Sequence, residues 1–218
     1  MAVTPASTPM NPLDIASHGP VIPVIVIDRV EDALPLAEAL LAGGVKVLEV
    51  TLRTAAGLPA IEAIARHLPE AVVGVGTVLN ADDARRASEA GARFAVSPGY
   101  TSAVGSACKG LNLPLLPGVA TSSEIMAALA DGFSFLKLFP AEAVGGMPLL
   151  KSWASPFGQV SFCPTGGITN ATASNYLALP NVRCVGGSWL TPTDAVRAGD
   201  WARITQLARD TQALRKAA

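Results

Sequence analysis

The chain has 218 residues, half of them hydrophobic and 15% charged, with a formal net charge of −1 and a mean hydropathy of +0.40. That is enough apolar material for one sizeable core, and the length fits one domain better than two. A near-zero net charge without any long Lys/Arg block argues against a nucleic-acid partner, and no window reaches the roughly 18 uninterrupted apolar residues of a membrane span.

The opening MAVTPASTPM lacks a basic stretch followed by an apolar one, so it reads as a flexible tail over residues 1–10 and not as a signal peptide. Residues 11–218 read as a single domain, with NPLDIASHG (11–19) as a short helical extension ahead of the first strand. Cys108, Cys163 and Cys184 are scattered, with no C-x-x-C pair, which suggests a reduced, cytoplasmic protein. His18 and His67 are the only histidines and have no metal-ligand spacing.

Short β-rich runs then recur along the chain: VIPVIVI (21–27), VKVLEVTL (45–52), AVVGVGTV (71–78), RFAVSP (93–98), PLLPGVA (114–120), FLKLFPA (135–141), QVSFCPT (159–165) and VRCVGGSW (182–189). Helix-like segments separate them and a longer one, TDAVRAGDWARITQLARDTQALRKA, follows the last. Asn80 and Thr121 or Ser122 stand where helix caps belong. Near-continuous apolar strands alternating eight times with helices imply a parallel sheet covered on its outer face. The expected fold is therefore α/β, a compact (β/α)8 TIM barrel, with a doubly wound open sheet as the rival.

In such a barrel, polar residues near the C-terminal ends of strands are the ones to weigh. In VKVLEVTLRT, period two places Val45, Val47, Glu49, Thr51 and Arg53 on one face. Glu49 sits mid-strand, where a lone carboxylate is costly. It is either half of a structural pair with Arg53 or a lysine, or a working acid/base. In GVGTVL, Thr77 shares the parity of Val73 and Val75 at a strand end, and the glycines read as points of close backbone approach; no third glycine or P-loop lysine supports a nucleotide site.

FLKLFPAE puts Lys137 on one face with Phe135 and Phe139, near the strand's end. Lys46, Lys109, Lys151 and Lys216 fall at surface-like positions, which singles out Lys137. It is either a lysine that snorkels to the barrel mouth or pairs with Glu49, or an amine kept neutral by apolar and cationic neighbours, ready to attack a carbonyl. CPTGGIT and VGGSWL end the seventh and eighth runs. Their paired glycines leave backbone N–H groups free for an anion, and these are the loops where such barrels most often hold phosphate. Motifs of serine hydrolases and zinc enzymes are missing.

With these stretches assembled, LEVTLRT, GVGTVL, VSPGY, LPGVAT, LKLFPAE, CPTGGIT and GGSWL in that order, the chain closely resembles the class I 2-keto-3-deoxy-6-phosphogluconate (KDPG) aldolases from Pro20 to about residue 190. The resemblance implies a (β/α)8 barrel, a homotrimer, and neither metal nor cofactor. It implies that Lys137 forms a Schiff base with the substrate ketone and that Glu49 moves protons. By the same resemblance Arg53 and Thr77 hold the carboxylate end, Pro98 and Phe139 line the pocket, and Gly166, Gly167, Gly186, Gly187 and Ser188 bind the phosphate of a phosphorylated 2-keto acid. The expected reaction yields pyruvate and glyceraldehyde 3-phosphate, as in the Entner–Doudoroff pathway. The alternatives are 4-hydroxy-2-oxoglutarate or the phosphogalactonate epimer as substrate and, more remotely, a non-catalytic phosphosugar-binding barrel.

Overall fold

The computed structural model describes residues 12–214; the tail expected over residues 1–10 lies outside them. In chain order the elements are α1 (Pro12–Ser17), β1 (Val21–Ile25), α2 (Ala33–Ala42), β2 (Val47–Thr51), α3 (Gly57–His67), β3 (Val72–Gly76), α4 (Ala81–Glu89) and β4 (Ala95–Val96). There follow α5 (Ser102–Gly110), β5 (Leu115–Leu116), β6 (Gly118–Val119), α6 (Ser122–Ala130), β7 (Phe135–Leu138), α7 (Gly146–Trp153), β8 (Ser161–Pro164), α8 (Asn170–Leu177), β9 (Val185–Gly187), α9 (Thr193–Ala198) and α10 (Trp201–Gln212).

Hydrogen-bonded ladders join these strands into a six-stranded parallel sheet, ordered β5-β4-β3-β2-β1-β9, and a three-stranded one, β6-β7-β8. The expected run PLLPGVA is where the chain passes from one sheet to the other. Pro117 has no N–H to donate to a ladder, and it separates β5, paired to β4, from β6, paired to β7. On the other side, β8 and the chain entering β9 touch through two isolated parallel bridges, Phe162–Val182 and Thr165–Gly186. Three steps on one chain oppose four on the other, the mismatch of a bulge, which interrupts regular pairing. The ladder is thus not one continuous closed ring.

Strand alternation sorts the core into two layers. Ile22, Val47, Val72, Phe94, Val96, Leu116, Phe135, Cys163 and Cys184 form one cluster, into which α1 inserts the fully buried Ile15. Leu48, Val50, Val73, Val75, Leu136 and Leu138 belong to the larger cluster shared with the helices, including Leu36, Leu40, Ile61 and Ile64. Each fully buried side chain of this size contributes about 1.5–3 kcal/mol.

Helix ends follow local chemistry. Asn80 Oδ1 accepts from Asp83 N–H at 2.9 Å, and Thr121, the cap that the sequence left open against Ser122, forms a reciprocal capping box with Glu124. The long final segment divides into α9 and α10 because Gly199 turns at φ +66° and Asp200 caps a new helix by accepting from Arg203 N–H.

Candidate active site

β2 and β7 each carry one ionisable side chain into the interior. Glu49 and Lys137 are 3% and 4% exposed, and Lys137 Nζ stands 3.4 Å from Glu49 Oε1. Neither side chain has a closer polar partner among the described residues. Two charges taken out of water in this way cost several kcal/mol each, repaid only by excellent geometry. A contact at the long limit of hydrogen bonding is a poor structural device for offsetting that cost.

Glycines on the neighbouring strands make room for the pair. Gly76 ends β3, and a Cβ there would collide with the Glu49 carboxylate. A Cβ on Gly74 would strike the Phe94 ring, so the glycines of GVGTVL do serve close approach. Gly118 is the ladder partner of Lys137, and its missing side chain lets the Pro98 carbonyl pack against β6. Lys137 Nζ also lies 5.0 Å from the centroid of the half-buried Phe139 ring, with buried Phe135 two residues earlier on the same face.

Some expectations require adjustment. The face shared by Val45, Val47, Glu49, Thr51 and Arg53 is real only within β2: Val45 precedes the strand and packs in the helix-facing cluster. Thr51 is fully buried, its hydroxyl donating to the Ile25 carbonyl at 2.9 Å. Arg53 follows the strand end, is exposed, and makes no ion pair or hydrogen bond among the described residues, so a Glu49–Arg53 pair is ruled out and the Glu49–lysine alternative is the one found. Val73 and Val75 face the helices, so parity alone would send Thr77 outward; it lies one residue beyond β3 and is half-buried. Lys46, Lys109 and Lys151 are exposed, as expected; Lys216 is outside the described residues.

The two glycine loops lie side by side. Thr165 bridges to Gly186, where a Cβ would collide with the Thr165 hydroxyl. Gly166 and Gly167 take φ of +102° and +81°, a region that favours glycine. Among the described residues nothing accepts from the backbone N–H groups of Gly166, Gly167 or Ser188. Ser188 is exposed and borders a cavity of about 350 Å³ whose floor includes Val24 and whose rim includes Arg29, Asp32 and Arg197. Val24 is the ladder partner of Glu49, while neither Glu49 nor Lys137 lines this cavity.

Sequence reasoning missed Thr165, 5% exposed between the two loops, and the rim residue Arg29, held by Asp32 through two hydrogen bonds of 2.9 and 2.8 Å. The polar run DRVED directly after the first apolar strand was the available signal for the second. No group of three or more His, Cys, Asp or Glu side chains suited to a metal occurs among the described residues, and no described helix is long and apolar enough to cross a membrane.

Comparison with known proteins points the same way. The family model "Aldolase: KDPG and KHG aldolase" matches residues 14–207. The KHG/KDPG aldolase of Escherichia coli K12 is 54% identical over 196 residues, spanning 90% of this chain and 92% of that protein. Among solved structures, the KDPG aldolase of Legionella pneumophila, with pyruvate captured as a covalent carbinolamine, is 48% identical with a TM-score of 0.92, covering 93% of this chain and 98% of that one. The enzyme of Zymomonas mobilis ZM4, solved with 3-phosphoglycerate, is 49% identical with a TM-score of 0.90, covering 94% and 97%.

Proposed function

The chain belongs to the KDPG and KHG aldolase family, and on that premise we propose that it cleaves 2-dehydro-3-deoxy-6-phosphogluconate through a Schiff base on Lys137. It is a carbon–carbon lyase of the aldolase type. The observation that carries the assignment of Lys137 is its burial within 3.4 Å of Glu49, one residue before the end of the parallel strand β7.

The chemistry runs as follows. A neutral Lys137 amine attacks C2 of the substrate, giving a carbinolamine, and loss of water gives a protonated imine. A base removes the C4 hydroxyl proton, the C3–C4 electron pair moves into a C2–C3 enamine, and glyceraldehyde 3-phosphate departs. Protonation at C3 and hydrolysis of the imine release pyruvate and restore Lys137. Glu49 is the group placed to take the amine's proton and to exchange protons with a water or with C4–OH; such general acid–base help contributes about 10²–10⁴-fold.

Arg53, exposed just past the end of β2, suits the substrate carboxylate because its planar fork binds two oxygens at once, with Thr77, the residue after the ladder partner of Thr51, on the neighbouring strand and Pro98 and Phe139 as apolar walls. Gly166, Gly167, Gly186, Gly187 and Ser188 supply N–H and O–H donors to the phosphate. Binding energy at that remote group orients the scissile bond.

Turnover of 4-hydroxy-2-oxoglutarate is a second reading, favoured by the double name of the Escherichia coli relative; comparing kcat/KM for the two substrates orders them. We read residues 11–218 as one domain whose two sheets make up a (β/α)8 barrel with α1 as N-terminal extension, working as a cytoplasmic homotrimer in the Entner–Doudoroff pathway. Borohydride reduction in the presence of pyruvate, followed by peptide mass mapping, tests the central claim. The expected adduct is on Lys137; an adduct on another lysine overturns it.

A further inference from the structure

The loop that leaves β7 and the glycine loop that leaves β8 are joined by contacts that the reaction scheme does not use. Ala141 N–H donates to the Thr165 carbonyl at 2.8 Å, and Glu142 N–H donates to the Gly166 carbonyl at 3.1 Å. The Glu142 side chain lies over Gly167: a Cβ there would stand 2.6 Å from Glu142 Cγ and 2.7 Å from its Cβ. From the opposite side, the Tyr176 hydroxyl on α8 donates to Glu142 Oε1 at 2.7 Å.

Tyr176 is 1% exposed, and burial, reinforced by the Glu142 carboxylate, pushes its phenol well above the ordinary tyrosine range. It therefore keeps its proton and serves as a fixed donor. Gly146 completes the fit: it takes φ +50°, and a Cβ there would lie 2.6 Å from the Tyr176 hydroxyl oxygen. Since α8 begins three residues after Gly167, the Glu142–Tyr176 hydrogen bond closes a short circuit. It runs from the end of the Lys137 strand through Glu142 to Tyr176, and back along α8 to the glycine loop.

We propose that Glu142 and Tyr176 are positioning residues that hold the Gly166–Gly167 loop at a fixed distance from Lys137. A phosphate bound at that loop then decides where the C3–C4 bond lies relative to the imine nitrogen. The inference rests on the phosphorylated-substrate reading above. Glu142 is exposed, so its carboxylate has no need of Tyr176 to escape desolvation; what the bond fixes is geometry. A displacement on the order of 1 Å in such an anchor can cost roughly 10²-fold in rate.

The test compares 2-dehydro-3-deoxy-6-phosphogluconate with its dephosphorylated counterpart in the wild type, Tyr176→Phe, Glu142→Ala and Glu142→Gln, with folding checked by circular dichroism. The readout is the ratio of kcat/KM for the two substrates. We expect it to fall about tenfold in Tyr176→Phe and Glu142→Ala. Glu142→Gln still accepts from the Tyr176 hydroxyl and should recover most of it. A high wild-type ratio that Tyr176→Phe leaves intact, or equal losses on both substrates, overturns this inference alone. A wild-type ratio near one overturns the phosphate reading and this inference with it.

Discussion

Glu49 and Lys137 stand 88 positions apart in the chain and 3.4 Å apart in the interior. Their strands belong to different sheets, and the transfer of the chain from one sheet to the other at Pro117 is what brings them face to face.

Breaking this pair costs stability, and removing both members does not. Lys137→Met leaves Glu49 buried without a partner and should destabilise the fold by up to about 3 kcal/mol. The double variant Lys137→Met/Glu49→Gln should recover most of that loss while staying inactive. Urea midpoints of the two variants and the wild type make the cycle; a double variant as unstable as Lys137→Met would contradict it.

The glycines around the pair divide into two kinds. A methyl at Gly76 meets the end of the Glu49 side chain, which can swing aside, so Gly76→Ala should lower kcat at least tenfold with a modest change in melting temperature. A methyl at Gly118 meets the Pro98 backbone, which cannot, so Gly118→Ala should cost about 1–3 kcal/mol of stability. Thermal melts set beside steady-state kinetics separate the two outcomes, and the reverse ranking would refute the distinction.

Arg53 makes no ion pair or side-chain hydrogen bond among the described residues, so its proposed role in binding can be tested apart from stability. Arg53→Lys keeps the charge and loses the bidentate fork, and is expected to raise KM for substrate about tenfold. Its melting temperature should match the wild type within error. An unchanged KM would remove Arg53 from the carboxylate site.

Alkaline pH should weaken the fold through buried acids that resist ionisation. Burial raises the Cys108 thiol from 9.0 to about 11, and burial followed by the Asp131 hydrogen bond raises Tyr100 to about 12. Well below pH 9, the ordinary value of the unfolded thiol, it is protonated in both states and contributes no pH dependence. As pH rises from 9 through 11 the unfolded chain loses that proton first, so stability falls, for Cys108 by on the order of 2 kcal/mol. Cys184 is raised too, by its hydrogen bond with Cys163 and then by burial. The urea midpoint should drop between pH 8.5 and 11, and Cys108→Ala should reduce the drop. At pH 8 the folded protein should leave all three thiols unreactive to a disulfide reagent, because all are buried.

The sequence alone determined the class of fold and the identity of the exceptional residues. Eight apolar runs with helices between them dictate parallel strands buried on both faces. Period two also assigned the layers correctly where pairing persists, with Phe135 inside and Leu136 and Leu138 against the helices. A lysine amid phenylalanines and a glutamate amid valines stand out because each is costly to bury alone, and that cost is a property of the side chain, legible without coordinates.

Tertiary structure decided everything that depends on where a ladder stops and what faces it. Alternation constrains side chains only while the backbone is held in pleated pairing, so it misdirects at Val45, which precedes β2, and no longer binds Thr77, one residue beyond β3. It could not choose between Arg53 and a lysine as the partner of Glu49. The purpose of Gly76, Gly118 and Gly167 lay in neighbours distant along the chain, as did the link from Glu142 to Tyr176. A sequence states what each residue costs to bury; only packing across strands settles which other residue offsets that cost.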